Sequence, residues 1–529
     1  MIDLVDFCAR LSSACGAEQL LTVRLLQDEI AVSLPSHALL AAVHTLRHEF
    51  VARFVDLFGL HQSASQGIFH LHLLFALDEE QTWVHLQVDL DKQTPTFPSL
   101  VDELPACGWY EREIWEELGI TPLEHPLLRP LRLAPDWPQG VYPHLQGFNW
   151  SQEVPAAEPH YFELEPAPAG IVNYPLGPVR SGIVESGHYT LRTAGEEIVD
   201  MYIQLFYKHR GVEKRAEGLP VELLPLVAER ISGASAFAHS LALCQALESL
   251  AEVEILPRTL YLRALLAELE RLYNHLGYQA NLCQATGLTV AQAQFDLWKE
   301  RVLRLNATIS GHRYLFGMNV PGGVSRDVTE QGQQAIRELT VALRRDLETL
   351  SRLLLASSSH RDRLETTGIL SPQDARLYGA VGPIGRASGV DRDLRRDHPY
   401  AAYADIDFEI PALQEGDALA RTRVRLEETT QSLAIIDQVL ERLPGGPVRV
   451  TIPPLPPGRS ALGWAESARG ECVHWILAGQ DGTLQRYRVR PASFANWQAF
   501  SLAIPGHNIL TDFPVIEQSF GLSFAGADC

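Results

Sequence analysis

Between Leu260 and Leu276 the chain reads Leu-Tyr-Leu-Arg-Ala-Leu-Leu-Ala-Glu-Leu-Glu-Arg-Leu-Tyr-Asn-His-Leu, with apolar residues at helical spacing on more than one face. A helix with one apolar stripe lies on a surface, whereas one that is apolar on several sides must be surrounded by protein. The segment therefore predicts a helix buried in a bundle, which needs several long partners. The sequence offers them from Gly177 onward, where long helical patterns dominate, and a smaller β-rich part follows near residues 448 to 495.

The first 132 residues have a different rhythm and predict a small α/β domain. Ile30 to Leu34 is strand-like, Ala38 to Phe50 has helical apolar spacing, and Phe69 to Phe75 and Trp83 to Val88 alternate with the period of two that marks strands. Residues 133 to 173 form a linker in which Pro135, Pro138, Pro143, Pro155, Pro159, Pro166 and Pro168 interrupt any regular ladder. Its aromatic residues (Trp137, Tyr142, Phe148, Trp150, Tyr161, Phe162) predict packing along a surface, since solvated linkers are poor in them. Residues 174 to 529 make the large, mainly helical domain, so the fold class is α+β.

The formal charge of -21 argues against nucleic acid or anionic lipid as the main partner, because most of the surface would repel either. No apolar run of about 18 residues provides a membrane span. The start, Met1-Ile2-Asp3-Leu4-Val5-Asp6, lacks the order of a signal peptide, which points to the cytoplasm. Seven cysteines are scattered without a C-x-x-C pair, so neither a zinc site nor an iron-sulfur cluster is expected within this chain. Gly322-Gly323 is no phosphate loop, because no lysine-serine pair follows it.

Several motifs run in order along the chain. Cys107 to Ile120 (Cys-Gly-Trp-Tyr-Glu-Arg-Glu-Ile-Trp-Glu-Glu-Leu-Gly-Ile) is followed by His125-Pro126-Leu127-Leu128-Arg129, and this pair resembles the signature of the C subunit of bacterial respiratory complex I. From Gly177 the chain carries Gly-Pro-Val-Arg, His209-Arg210-Gly211-Val212-Glu213-Lys214, Gly311-His312-Arg313, Gly382 to Val390, Asp393-Leu394-Arg395 and Glu466 to Glu471. Together these resemble the superfamily of the complex I D subunit and the large subunits of energy-converting nickel-iron hydrogenases. The fused C/D arrangement is that of formate hydrogenlyase and hydrogenase-4 large subunits and of some complex I subunits.

The resemblance implies a site, and the chain departs from it. Arg230-Ile231-Ser232-Gly233-Ala234-Ser235-Ala236-Phe237-Ala238-His239 stands where the hydrogenases read Arg-Ile-Cys-Gly-x-Cys-x-x-x-His, and Ser519 and Leu522 fall where the C-terminal thiols are expected. A serine hydroxyl stays protonated and is a hard, weak donor, whereas nickel and low-spin iron take soft thiolates. Active nickel-iron hydrogenase chemistry is thereby excluded. The histidine and tyrosine that hold a quinone headgroup in the quinone-reducing relatives are Arg180 and Val221 here. An arginine can still donate to a carbonyl oxygen; valine cannot.

Ser232, Ser235 and Ser519 either line a polar cavity or fill the void left by a metal. His239 is either a core histidine or a proton donor, and Glu185 either relays protons or pairs with a nearby arginine. The resemblance places Arg210, Arg230 and Arg313 near a partner's iron-sulfur cluster and Arg180 and Arg469 at the cavity; a plain ion-pair network is the competing account of these arginines. It implies a large peripheral subunit on the inner face of the membrane that binds no cofactor itself. Its partners would be an iron-sulfur small subunit and integral antiporter-like subunits, its candidate acceptor quinone, and its task electron transfer coupled to ion translocation. The alternative is a non-catalytic scaffold or coupling subunit with a degenerate redox site.

Overall fold

The computed structural model describes residues 4–16, 21–26, 28–62, 67–161, 164–180 and 185–529, so Phe162 of the proline-rich segment lies outside the described residues. It divides into two compact units, the first running to Pro166 and adding Leu205–His209 and Leu377–Gly379, the second holding the remainder.

In the first unit, strands β1 (Leu21–Leu26), β2 (Glu29–Pro35), β3 (Arg53–Gln62), β4 (Ile68–Leu77) and β5 (Thr82–Leu90) form one sheet in the order β1-β2-β5-β4-β3. Only β2 and β5 run parallel; the other pairs are antiparallel. Helices α1 (Leu4–Cys15), α2 (Leu39–His48) and α3 (Gly108–Leu118) complete it. Helix α3 meets β3 at Gly59, where a Cβ would stand 2.5 Å from the end of the Leu118 side chain, so any larger residue would have to displace that side chain.

The Glu-Arg-Glu run of α3 is buried, which explains an otherwise improbable sequence for an interior helix. Glu111 accepts from Ser99 Oγ at 2.7 Å and Leu100 N at 2.6 Å, and Glu116 accepts from Leu131 N at 2.6 Å. Glu113 pairs with Arg132 at 2.7 Å, and Glu117 with His144 at 2.8 Å. Burial pushes Glu111 and Glu116 up to about 7. Four carboxyl groups thus fasten residues 99–100 and 131–144 to the helix, and the beginning of the proline-rich segment is held by hydrogen bonds as well as by its aromatics.

The second unit opens with a three-stranded antiparallel sheet, β6 (Val172–Leu176), β7 (His188–Ala194) and β8 (Glu197–Gln204). Its body is α4 (Ala236–Leu250), α5 (Pro257–Ala285), α6 (Thr289–Ser310), α7 (Glu330–Ala356) and α8 (Ala418–Arg442). The helix predicted over Leu260–Leu276 is the middle of α5, 29 residues long and packed against α4, α6 and α8. The β-rich part is a meander of β9 (Ser460–Ser467), β10 (Gly470–Ala478) and β11 (Leu484–Arg490), with β9 and β10 lying on α4. Three short helices close the chain: α9 (Ala492–Phe500), α10 (Phe513–Phe520) and α11 (Phe524–Asp528). Among the described residues no helix is long and apolar enough to cross a membrane.

One ionic network ties α5, α8 and β9 together. Arg386 reaches Glu428 at 2.8 Å, Glu466 at 3.0 Å and Asp393 at 3.2 Å. Arg395 reaches Asp393 at 2.8 Å and Glu268 at 3.1 Å, Arg271 reaches Glu268 at 3.2 Å, and His275 meets Glu428 at 2.8 Å. All of these groups are buried. Within this network four carboxyls share three guanidinium groups. Burial and the neighbouring Asp393 push Glu466 up to about 7, while the guanidinium groups hold Asp393 down at about 2 and Glu428 well below the carboxylate range despite burial.

The signs fix the pH dependence. Asp393 and Glu428 contribute stability that is present above the unfolded carboxylate pKa and lost as pH falls through their depressed values. Glu466 acts oppositely: ionising it in place costs stability as pH rises from about 4.3, its unfolded value, toward 7. In thermal unfolding of the full chain between pH 5 and 8, Glu466→Gln is expected to flatten the decline toward pH 8. Glu428→Gln should cost about 1–3 kcal/mol, because it weakens the bonds to Arg386 and His275 while Arg386 keeps Asp393 and Glu466.

Candidate functional site

The start of α4, the middle of α5 and the C-terminal helices converge on a cavity of about 480 Å³ in the second unit. Its floor is the segment predicted from the Arg-Ile-Ser-Gly-Ala-Ser motif. Ser232 is extended (φ -149°, ψ 119°), and residues 233–235 turn once before α4 begins. The Ser232 hydroxyl lies 3.3 Å from that of Ser523, which caps α11 by accepting from Gly526 N at 3.0 Å. A Cβ on Gly526 would stand 3.6 Å from that of Ser232.

The C-terminal positions facing Ser232 are therefore Ser523 and Gly526, which corrects the pairing expected from sequence. Ser519 is fully buried on α10, where its hydroxyl accepts from Arg421 at 2.8 Å and donates to Ile516 O at 2.7 Å. Leu522 does line the cavity. Ser519 and Leu522, the positions expected from sequence, stand four residues earlier, on either side of Gly521, which turns the chain at φ 61°.

Arg469 crosses the cavity wall. Its Nε donates to Gly521 O at 2.8 Å and its guanidinium to Asn274 Oδ1 at 3.0 Å, while Asn274 Nδ2 donates to Ala234 O at 2.6 Å. Arg469 thus joins the terminal segment, α5 and the motif loop. Burial lowers its pKa, and the charge of Glu185 offsets part of that effect. Glu185 lines the same cavity and accepts from Ala525 N at 2.7 Å, so it serves the start of α11 as well as the arginine.

The other candidates are distributed around this floor. Arg180 forms a two-pronged pair with Glu517 at 3.0 and 2.6 Å, and Tyr189 donates to the same carboxylate at 2.9 Å; Glu517 faces the cavity and Arg180 backs it. Arg210, exposed, donates to the carbonyls of Arg230 at 2.8 Å, Ile231 at 3.0 Å and Ala525 at 2.8 Å, clamping the motif loop to α11. Arg230 stacks over Phe316 at 4.6 Å, and Arg313 is held on the surface by Glu300. Ser235 and His239 are buried, and neither lines the cavity.

Sequence reading missed the residues contributed by helix interiors. Tyr273, Asn274, His275 and Tyr278 all project from α5, Lys299 from α6 and Arg425 from α8. Their signal was present as polar residues inside an apolar helix, but the periodicity alone gives them no common destination. Lys299, Arg425 and Arg469 face Glu185 and Glu517, and Glu517 is already paired with Arg180. The lining is therefore cationic on balance, in a chain of charge -21. Trp497, Phe500 and Phe524 form an aromatic wall, with Trp497 and Phe524 ring centres 4.9 Å apart.

Comparison with known proteins identifies the family. Residues 287–461 match the model of the respiratory-chain NADH dehydrogenase 49 Kd subunit, and residues 32–154 that of the 30 Kd subunit. The chain is 32% identical over 510 residues to formate hydrogenlyase subunit 5 of Escherichia coli, covering 95% of this chain and 89% of the relative. It is 30% identical to hydrogenase-4 component G of the same organism (95% and 88% covered) and 29% identical to the fused C/D polypeptide of NADH-quinone oxidoreductase from Phocaeicola vulgatus (79% and 85%). A chain of the membrane-bound sulfane sulfur reductase, an archaeal respiratory membrane complex, superposes with a TM-score of 0.65 at 28% identity, over 69% of this chain and all of that one. The family models and relatives identify a fused large subunit of an oxidoreductase complex. The chain belongs to the family shared by the fused C/D polypeptides of complex I and the formate hydrogenlyase and hydrogenase-4 large subunits.

Because Arg210 supplies three hydrogen bonds from one charged group, Arg210→Ala is expected to loosen α11 locally by about 1–3 kcal/mol. Amide hydrogen exchange at residues 524–528 checks this: it should accelerate at least several-fold while exchange in α5 stays unchanged.

Proposed function

We propose that this protein is the large peripheral subunit of a membrane-associated redox complex, and that its cavity holds the terminal electron acceptor beside an iron-sulfur cluster carried by a partner subunit. The observation that carries this reading is the cationic lining of the cavity, with Arg469, Arg425 and Lys299 set against an aromatic wall in an otherwise acidic chain. Such a lining favours a small anionic or polarisable acceptor that gains negative charge on reduction. The structural neighbour named a sulfane sulfur reductase supports that choice.

The residues present do not fit a nickel-iron centre. Ser232 and Ser523 offer hydroxyls that are engaged with each other, and Gly526 offers no donor. Quinone is the second candidate acceptor. Val221 does not line the cavity and Arg180 is committed to Glu517, so Tyr273, Tyr314 and Asn274 would have to supply the hydrogen bonds to a headgroup. In this reading the complex sits on the inner membrane face through integral partners and couples the electron transfer to ion movement, while this chain binds no redox cofactor itself.

Arg469→Gln and Lys299→Gln, each in the complex isolated through a tag on this chain, test the assignment with polysulfide and a short-chain quinone as acceptors. Loss of a charged hydrogen bond to the acceptor is worth about 1.5–3 kcal/mol, or roughly 10- to 100-fold in kcat/KM. A drop of that size with one acceptor is expected. Equal activity of both variants and wild type with each acceptor would contradict the cavity's role, and no turnover with any acceptor would leave the scaffold reading in its place.

A further inference from the structure

We propose that His239, Cys472 and His474 bind one soft, closed-shell metal ion, Zn(II) or Cu(I), in the core between α4 and the C-terminal sheet. No short motif announces these ligands. Cys472 and His474 stand two apart on β10 and so point to the same face of the sheet, while His239 comes from α4, which lies on that face. Their donor atoms lie within 4.8 Å of one another, and the three residues are 1%, 0% and 2% exposed in the order Cys472, His474, His239.

Donor chemistry and supporting contacts fit a metal. Two imidazoles and a thiol are the set that takes Zn(II) or Cu(I) in preference to hard ions. The facing nitrogens, His239 Nδ1 and His474 Nε2, are 3.0 Å apart. Zinc-nitrogen bonds of about 2.0–2.1 Å at a tetrahedral angle put two nitrogens roughly 3.3 Å apart, so a few tenths of an ångström of opening admits the ion. His474 Nδ1 lies 2.7 Å from the Tyr487 hydroxyl, the outer contact that fixes the ring and, with the proton on Nδ1, turns the Nε2 lone pair toward the site. Without an ion, one proton is shared between the two rings and the Cys472 thiol donates to Ala465 O at 3.3 Å.

Binding replaces the thiol proton, which leaves to solvent as the metal-sulfur bond forms, while the proton between the two rings moves to His239 Nε2, with no change in oxidation state. Cu(I) with one thiolate is neutral, which suits a three-donor interior site; Zn(II) requires a fourth donor such as water. The role is structural: the ion joins α4, whose first turn carries the Ser232 floor, to β10. With ligands this buried, it is acquired during folding.

Metal content of the full-length protein, as isolated in its complex and after chelator washing, should show close to one zinc or copper per chain. Cys472→Ser should lower that content at least tenfold. X-ray absorption at the edge of the metal found needs no variant: it should show one sulfur and at least two nitrogen scatterers, and the edge itself decides between zinc and copper. Absence of both metals, an unchanged content in Cys472→Ser, or a shell without sulfur would overturn the proposal. None of these readouts depends on whether the cavity binds an acceptor.

Discussion

The large unit depends on the buried pairing of Arg271, Arg386 and Arg395 with Glu268, Asp393, Glu428 and Glu466. Taking these charges out of water is costly, and a well-packed apolar core of equal volume would be no less stable. What the network supplies is geometry. Each group has one arrangement in which its hydrogen bonds are made, and that arrangement sets the rotation of α5 and α8 about their axes. Asn274 and His275 on one helix and Arg425 on the other then face the same cavity. His275 belongs to both, bonded to Glu428 on the inside and lining the cavity on the outside.

From this base the site is assembled by contacts between distant stretches of chain. Arg469 bonds to α5 and to the segment before α11, Arg210 bonds the motif loop to α11, and Arg180 holds Glu517 at the cavity edge. Several of these arginines act on backbone carbonyls and carboxylates, and their places differ from member to member. Arg469 is at the cavity; Arg313 is a surface partner of Glu300. Glu185 bonds to the backbone of α11 while its charge supports Arg469, on the side of the arginine-pairing reading.

The buried character of α5 was legible because periodicity reports environment directly, and β2, β4 and β5 were legible from their run of apolar residues or alternation, each extending one or two residues beyond the predicted run at either end, while β1 and β3 were not read. The floor of the cavity was legible as a motif, since Ser232 and its neighbours are contiguous. The opposite wall was not. Which C-terminal residue meets Ser232 depends on how the chain turns at Gly521, and counting residues carries no information about that turn. Cys472, His474 and His239 were invisible for the same reason, since their proximity is a property of helix-on-sheet packing. The second role of Arg180, and the cationic balance of the cavity, emerge only when side chains 100 or more residues apart are placed together.

On the proposed function, the cavity around Ser232, Ser523 and Arg469 is a place where electrons leave the complex. Electron paramagnetic resonance on the complex isolated through this chain, before and after reduction and then after addition of polysulfide or a short-chain quinone, tests it most directly. The account predicts an iron-sulfur signal that appears on reduction, disappears with one of those acceptors, and is accompanied by no stoichiometric nickel. A complex without iron, or a reduced cluster that neither acceptor reoxidises, would contradict it, and nickel at one per chain would overturn the reading of the serines.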